Sequence, residues 1–168
     1  MKPSEGFRPI ASADAEILVL GSLPGDRSIA EQQYYAHPQN AFWPIMRELF
    51  GIEGDYPVRC TQLMQNRIAL WDVLQSSVRP GSMDADIQLH SASANDFPGF
   101  LREHREIRVI AFNGKKAEQL FRRLVPADSV AAEISLVDLP STSPAYAAMP
   151  FSGKLAAWRA ALEDDTEQ

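Results

Sequence analysis

Cysteine and long apolar runs are nearly absent from this sequence of 168 residues. A single cysteine, Cys60, excludes an internal disulfide and any zinc or iron–sulfur site that needs several cysteines of this chain. No apolar run approaches the roughly 20 residues that a membrane helix requires, and residues 1–6 lack the apolar segment of a secretory signal. We therefore expect a cytoplasmic protein without a metal, an iron–sulfur cluster, another cofactor or a membrane partner.

Positive charge is also scarce, since 16 Lys and Arg residues face 22 Asp and Glu residues and the net charge is -6. This balance argues against a broad, non-specific nucleic-acid surface. A small site that holds one or two phosphates through backbone N–H groups stays possible. The length and the 45% hydrophobic content fit one globular domain over residues 1–168. We expect the acidic residues 163–168 to form a disordered tail.

Apolar runs and amphipathic segments alternate along the rest of the chain. The pattern predicts strands at 17–20, 68–74, 108–113 and 134–139, and helices at 42–50, 55–65, 97–104, 114–124 and 153–162. Alternating strands and helices form parallel sheets that are covered on both faces. We therefore predict an α/β fold of three layers, α/β/α, around a central four-stranded parallel sheet.

Polar loops follow the first, third and fourth of these strands, and ligands of open α/β sheets bind at the carboxyl ends of strands. The first loop has Gly21 and Gly25, which allow a tight turn and a close approach of a ligand to the backbone. It is not a nucleotidase phosphate loop, because no Gly-Lys-Ser/Thr follows. An ordinary turn between a strand and a helix explains the same spacing equally well.

Aromatic and amide side chains follow in residues 33–43. Asn40 is placed either to cap the next helix or to hold a water molecule with its amide oxygen. Phe42 is a candidate for the core. Tyr34 and Tyr35 cannot both face a core easily, so one of them is expected to line a cleft.

The later loops offer a second set of polar side chains. Asn113 ends the third strand, where its amide can hydrogen-bond the edge of a base or simply form a turn. Lys115 lies at the start of a helix, where the helix dipole disfavours a cation. A lysine at this position indicates that an anion binds nearby. The last loop holds hydroxyl residues between two prolines, at positions 141–143. The carboxylates near strand ends are Asp26, Asp72 and Asp138; each is a catalytic candidate, and Asp72 is equally placed to brace a loop.

Taken together, these loops resemble those of the uracil-DNA glycosylase superfamily. Gly-Ser-Leu-Pro-Gly at 21–25 is similar to its first motif, and Ala-His-Pro-Gln-Asn-Ala-Phe-Trp at 36–43 resembles a segment of mismatch-specific uracil glycosylases. Ala-Phe-Asn-Gly-Lys at 111–115 resembles thymine-DNA glycosylases, and Leu-Pro-Ser-Thr-Ser-Pro-Ala at 139–145 falls at the second motif. The combination, which spans residues 17–158, is most similar to the hypoxanthine-DNA (deoxyinosine) glycosylase branch.

The resemblance implies a monofunctional DNA glycosylase that hydrolyses the N-glycosidic bond of a flipped-out deaminated base and so starts base excision repair. It implies damaged DNA as the partner, a nucleoid location when acting, and a monomer. Asn40 would hold the attacking water. The residues expected to bind the base are Phe42 by stacking, Asn113 at the base edge, Tyr35 on the pocket wall, and the turn of Leu23, Gly25 and Asp26 through backbone N–H groups. Those expected to bind DNA phosphates are Ser22, Ser141, Thr142, Ser143 and Lys115, and Ala145 or Tyr146 is expected to wedge into the duplex.

Three positions depart from the family pattern. Leu23 stands where many relatives carry Asp or Asn, Leu139 where others carry a base-stabilising His, and Ser143 where a wedge Leu is usual. Three alternatives therefore stay open. The chain could act mainly on uracil or on mismatches, it could be a weakly catalytic module that binds DNA lesions or nucleotides, or it could hydrolyse free nucleosides as a small-molecule enzyme.

Overall fold

The computed structural model describes residues 4–79, 84 and 87–166, with side chains as far as residue 163. The described strands are β1 (Ser4–Glu5), β2 (Ile17–Gly21), β3 (Ile68–Asp72), β4 (Leu74–Ser77), β5 (Ser93–Ala94), β6 (Val109–Asn113) and β7 (Ser135–Leu139). The described α-helices are α1 (Asp26–Glu31), α2 (Phe42–Phe50), α3 (Tyr56–Gln65), α4 (Phe97–Glu103), α5 (Lys115–Leu124) and α6 (Phe151–Thr166). None of these helices is long and apolar enough to cross a membrane.

The main sheet has four parallel strands in the order β3-β2-β6-β7. Its register pairs Gly21 with Asp72 at the carboxyl ends of β2 and β3, and Asn113 with Leu139 at those of β6 and β7. All four strands therefore end at one edge of the sheet, which is where the polar loops begin. The predicted four-stranded parallel sheet is confirmed.

Helices cover both faces of this sheet, because side chains alternate along each buried strand. Ile17 and Val19 of β2 pack in one core cluster with residues of α2, α3 and α6. Leu18 and Leu20 pack in a second cluster with residues of α4 and α5. The predicted three-layer α/β/α architecture is confirmed, whereas its extent as one domain over 1–168 stays a prediction.

Carboxylate caps fix the starts of two helices. The side chain of Asp55 accepts a hydrogen bond from Val58 N–H at the start of α3, and that of Asp96 accepts one from Gly99 N–H at the start of α4. Such caps satisfy backbone donors that have no partner within the helix. The predicted starts of these helices are confirmed.

The last helix is longer than predicted at both ends. It begins at Phe151 instead of residue 153, because the carbonyl of Pro150 accepts from the N–H groups of Gly153 and Lys154. Ser152, which precedes the predicted helix, therefore lies inside the observed one. The helix continues to Thr166, so residues 163–166 of the expected tail are helical. Residues 167 and 168 lie outside the described part.

The sequence did not predict a small antiparallel sheet, β1-β4-β5, or the helix α1. The expected second strand, 68–74, ends at Asp72, and the chain then enters β4. Strands of two residues are too short to show an alternating pattern. Helix α1 has only six residues, which is too short to show a helical period in the sequence. Its N-cap residue is Gly25, which makes no side-chain cap hydrogen bond, so no capping residue marks its start either.

Candidate active site

A cleft of about 580 Å³ lies at the carboxyl edge of the main sheet. It is bounded by the loop from β2 into α1, by the loop before α2, by the ends of β3 and β6, and by the loop after β7. The predicted site residues that line it are Ser22, Leu23, Gly25, Asp26, Tyr35, Asn40, Asn113, Ser141, Thr142, Ser143, Ala145 and Tyr146. The structure thus brings twelve of the fourteen predicted site residues to one cavity.

Asn40 is fixed by a turn that precedes α2. Its backbone N–H donates to the carbonyl of His37 (2.9 Å), and its Oδ1 accepts from the N–H of Phe42 (2.9 Å). Ala41 and not Asn40 occupies the N-cap position, and Ala41 has no side chain that could cap the helix. The Asn40 amide is therefore held at the cleft wall with its Nδ2 group and one oxygen lone pair left for other partners.

Thr142 joins three of the loops around the cleft. Asn113 Nδ2 donates to Thr142 Oγ1 (2.9 Å), and Thr142 N–H donates back to Asn113 Oδ1 (2.9 Å). The carbonyl of Thr142 accepts from Ala41 N–H (2.9 Å), next to Asn40. Thr142 is 1% exposed. Its hydroxyl therefore braces the site from within, and its binding of a DNA phosphate stays a prediction.

The two adjacent tyrosines face different environments. Tyr34 is buried, and its hydroxyl donates to the carbonyl of Arg8 (2.8 Å). Tyr35 has a φ of 56°, in the left-handed region that bulky residues rarely adopt, and its ring centroid lies 6.4 Å from that of Tyr34, which also lines the cleft. The Tyr35 hydroxyl is buried without a hydrogen-bond partner among the described residues. Burial raises the pKa of Tyr35, and the neighbouring Asp72 adds to the rise.

Gly21 permits a close approach at the floor of the cleft. A Cβ atom at this position would lie 2.6 Å from Asp72 Oδ1 and 3.0 Å from Tyr35 Oη. Both distances are shorter than normal contacts, so glycine at 21 leaves room for the two polar groups. Gly25, by contrast, has φ -74° and ψ 174°, an extended conformation that does not require glycine.

Asp72 is the most deeply buried carboxyl group of the cleft, with 4% exposure. Its backbone carbonyl accepts from Asn95 Nδ2 (2.8 Å), but its Oδ2 has no hydrogen-bond partner among the described residues. Burial raises the pKa of Asp72 to about 7, the neighbouring Asp84 adds to the rise, and Arg79 opposes it. At neutral pH a large fraction of this group therefore carries a proton.

Two further polar groups orient the first loop. Arg79, which is 5% exposed, donates to the carbonyl oxygens of Leu23 and Pro24. Ser22 Oγ donates to Asp84 Oδ1 (2.5 Å). The N–H and C=O of a trans peptide point in opposite directions, so the Gly25 N–H points away from the guanidinium that holds the Pro24 carbonyl.

The loop after β7 forms the outer wall of the cleft. Ser141 Oγ accepts from Ser143 N–H (3.1 Å), and Ser143 Oγ accepts from Ala145 N–H (3.1 Å), so both hydroxyls support local turns. Lys154, from the first turn of α6, donates to the Ser143 carbonyl (3.2 Å) and lies 5.4 Å from the ring centroid of Tyr146. Tyr146 is 39% exposed at the rim.

Two predicted site residues do not line the cleft. Phe42 is fully buried, and its ring packs against Tyr35 with centroids 4.5 Å apart and against Trp158 at 6.0 Å. It cannot stack on a base in this structure, because Tyr35 covers it. Lys115 is exposed at the first residue of α5, outside the lining residues. Within residues 4–79, 84 and 87–166, no group of three His, Cys, Asp or Glu side chains is arranged to hold a metal ion.

Comparison with known proteins identifies the family. The profile of the uracil DNA glycosylase superfamily matches residues 9–165. The chain belongs to this superfamily. Two curated relatives named hypoxanthine DNA glycosylase align with 67% of the chain and 72% of their own length: that of Methanosarcina acetivorans is 41% identical and that of Methanosarcina barkeri 38%.

A solved structure agrees with this assignment. The solution NMR structure of a candidate uracil DNA glycosylase from Methanosarcina acetivorans matches with a TM-score of 0.74 and 34% identity. The match covers 95% of this chain and 98% of that one. The glycosylase-like fold expected from the motifs is therefore confirmed over nearly the whole chain.

Other cleft residues of this superfamily member were assigned only in part, or not at all, from its sequence. Asp72 was one of three catalytic candidates at strand ends and was equally placed to brace a loop, and the lone signal available was its place after the apolar run of β3. Ser28, which the family resemblance also suggested as a phosphate-binding residue, lies in the cleft, where its Oγ accepts from Ala36 N–H (3.1 Å) and ties α1 to the following loop. Arg79 and Asp84 come from a segment that has turn residues and no helical or strand periodicity. The sequence therefore did not predict that they lie at the site.

Proposed function

We propose that this protein is a monofunctional DNA glycosylase that removes hypoxanthine from DNA by hydrolysing its N-glycosidic bond. The observation that carries the proposal is the cleft at the carboxyl edge of the sheet, where Asn40, Asn113 and Tyr35 meet. Its support from relatives is the 41% identity to a protein named hypoxanthine DNA glycosylase. The proposed partner is damaged DNA, and we expect a monomer to be the active form.

The reaction requires that the base leave the stack, because the target bond is inaccessible in a duplex. Asn40 is proposed to position the attacking water with its amide, since its backbone turn already fixes the side chain at the cleft wall. An amide is a poor base, so its contribution is orientation. A weakly activated water suffices because the sugar develops oxocarbenium character as the bond to the base breaks.

Tyr35, in place of Phe42, is proposed to present its ring to the flipped base. Its ring packs on Phe42 from the cleft side, so Phe42 supports it from below. The Asn113 amide, which makes two hydrogen bonds to Thr142 and lies beside the Tyr35 hydroxyl, is proposed to hydrogen-bond the base edge with the second hydrogen of its Nδ2 group. The Gly25 N–H, directed away from Arg79, is proposed to stabilise the negative charge that develops on the base as the glycosidic bond begins to break. The phosphates of the flipped nucleotide are proposed to bind at Ser22, Ser141 and Ser143, with Lys115 outside the cleft.

The function is tested by cleavage of labelled oligonucleotides that carry hypoxanthine, xanthine or uracil, in single- and double-stranded form, with alkali to reveal abasic sites. We expect strand breaks at hypoxanthine. Breaks at uracil alone would show that the protein is a DNA glycosylase with uracil as its substrate. Uracil is the second candidate substrate because the relative solved by NMR is named a candidate uracil DNA glycosylase. Binding to a lesion without breaks would favour a module without catalysis, and hydrolysis of free inosine would favour a nucleosidase.

Tyr146 is proposed as the residue that fills the gap left by the flipped base, since it is 39% exposed at the cleft rim and Ala145 offers only a methyl group. Stacking of an aromatic ring on bases contributes about 1–3 kcal/mol per base. We expect Tyr146→Ala to slow cleavage of duplex substrate about tenfold and to affect single-stranded substrate much less. Single-turnover rates on the two substrates measure the difference.

Phe151→Ala is the matched control, because Phe151 is a similarly exposed aromatic residue, at 43%, that does not line the cleft. We expect it to cleave both substrates at the wild-type rate. Equal losses of Tyr146→Ala on duplex and single-stranded DNA would contradict a wedge role.

A further inference from the structure

Asp72 has no role in the mechanism described so far, although it occupies the floor of the cleft. It is the last residue of β3, paired in register with Gly21 of β2. The absence of a side chain at Gly21 lets Asp72 Oδ1 and Tyr35 Oη approach the same point, at 2.6 and 3.0 Å from where a Cβ atom would lie. Asp72 thus lies beside the ring proposed to contact the base.

The carboxyl group is buried but incompletely partnered. Asp72 is 4% exposed, and its Oδ2 has no hydrogen-bond partner among the described residues. Burying a polar atom without a partner is costly, and native structures keep few such atoms. A second orphaned polar atom of the cleft, the hydroxyl of Tyr35, lies next to it. Two unpartnered polar atoms on one cavity floor indicate that a polar ligand completes their hydrogen bonding.

We propose that Asp72 is a second catalytic residue, whose carboxylic acid donates a proton to a ring nitrogen of the departing base. This role rests on the proposed glycosylase function, because it concerns the same cleft and the same reaction. Hypoxanthine carries two unsubstituted acceptor nitrogens near the scissile bond, N7 and N3. In this role the Oδ2 of Asp72, which has no hydrogen-bond partner among the described residues, would carry the donated proton.

The proposed step balances in protons and electrons. The bond between C1′ and the base nitrogen breaks, and its electron pair stays with the base. The Asp72 proton passes to N7 or N3, so the base leaves as a neutral molecule. The oxygen of the water held by Asn40 bonds to C1′ and releases one proton to solvent, and Asp72 regains a proton from solvent.

The charged and titratable groups around Asp72 favour its acid form. Burial, and then Asp84 from the segment after β4, raise the pKa of Asp72 to about 7, and Arg79 from the same segment opposes them. Tyr34 and Tyr35, from the loop before α2, both have a raised pKa, so they stay neutral and contribute no charge. The acid form is therefore available at neutral pH, where a general acid is most effective.

The test uses Asp72→Asn, which keeps the size of the side chain but cannot transfer a proton. General acid catalysis typically contributes about 10²–10⁴-fold, so we expect a loss of about 100-fold or more in the single-turnover rate of hypoxanthine release. The wild-type rate is expected to fall above about pH 7 as Asp72 ionises, and this alkaline limb is expected to be missing in Asp72→Asn. A purely structural role would not remove a limb from the pH profile.

Analogues of the base make the test specific. Oligonucleotides with 7-deazahypoxanthine or 3-deazahypoxanthine lack one acceptor nitrogen each. The ratio of wild-type to Asp72→Asn rates is expected to fall close to one on the analogue that lacks the protonated nitrogen, and to stay large on the other. Asp138→Asn, an exposed carboxylate at the end of β7 and outside the cleft, is the matched control with a wild-type rate.

The outcomes separate this role from the function itself. If the wild-type protein cleaves hypoxanthine and Asp72→Asn cleaves at the same rate, or if its rate ratio is unchanged on both analogues, the acid role is overturned and the glycosylase stands. If the wild-type protein cleaves none of the lesions, the proposed function fails and the acid role fails with it.

Discussion

Asn40→Ala is expected to lower the single-turnover rate of hypoxanthine release by about 100-fold or more, the usual cost of losing a group that orients a reactant. The reason is positional. The Asn40 amide is held at the cleft wall by Phe42 N–H, and its backbone N–H is bound to the His37 carbonyl. Truncation to alanine removes the amide while leaving the backbone turn in place.

The fold is expected to survive this change. The lost hydrogen bond to Phe42 N–H contributes about 0.5–1.5 kcal/mol, which is small beside the total stability of a domain, about 5–15 kcal/mol. Helix α2 also keeps its buried face, which includes Phe42, Ile45 and Met46. A small decrease in the thermal midpoint together with a large decrease in rate would therefore assign the loss to chemistry.

Two further variants complete the Asn40 experiment. Asn40→Asp keeps an acceptor oxygen for Phe42 N–H and another for the water, so we expect a rate between those of the wild type and Asn40→Ala. Asn66→Ala applies the same truncation to an amide at the end of α3, where Asn66 Nδ2 donates to the Gln62 carbonyl (2.8 Å), outside the cleft. It is expected to leave the rate unchanged. Near-normal turnover by Asn40→Ala would show that Asn40 does not position the water.

The main sheet and its flanking helices could be predicted because their signals are local. The buried strands are continuous apolar runs, as in Ile17 to Leu20, and the starts of α3 and α4 carry Asp caps. Parallel strands bring their carboxyl ends to one edge, so the polar residues that follow them were expected to share a site. Twelve of the fourteen predicted site residues do line that cleft.

The parts that were missed depend on long-range packing. Phe42 begins α2 and Tyr35 lies in the loop before it with a left-handed φ, and the sequence does not show which of the two rings lies on the cleft side. Asp72 precedes two further apolar residues, Val73 and Leu74, so its sequence context did not distinguish a catalytic carboxyl from one that braces a loop. Its distinction arises from Gly21, which is 51 positions earlier in the sequence and is paired with Asp72 in the register of the sheet. No local pattern contains such information.

Asp72 should also make the folded protein less stable as the pH rises from about 4 to about 7. The pKa of Asp72 is 3.8 in its ordinary state and about 7 in the folded protein, chiefly because of burial. Between these values the unfolded chain has lost the proton and the folded protein retains it, so the folded state binds more protons. The free energy of unfolding therefore decreases with pH in this window, by about 1.4 kcal/mol per pH unit at most.

The free energies of unfolding of wild type and Asp72→Asn, measured by urea denaturation at pH 4 to 8, test this directly. Other carboxylates titrate in both proteins, so the difference between the two curves isolates Asp72. We expect Asp72→Asn to gain stability relative to wild type as the pH rises to about 7, by up to about 4 kcal/mol, and the difference to be constant above that pH. For Asp138→Asn, the exposed control, the free energy of unfolding should change with pH in parallel with that of wild type over the whole range.

A flat difference between Asp72→Asn and wild type would mean that Asp72 has the same pKa in both states, and so is hydrated or fully partnered in the folded protein. That result would conflict with its 4% exposure and its orphaned Oδ2. The expected result has a functional meaning as well. A carboxyl group that lowers stability at neutral pH is retained at a cost, and placing a proton donor beside the departing base is a benefit that would offset it.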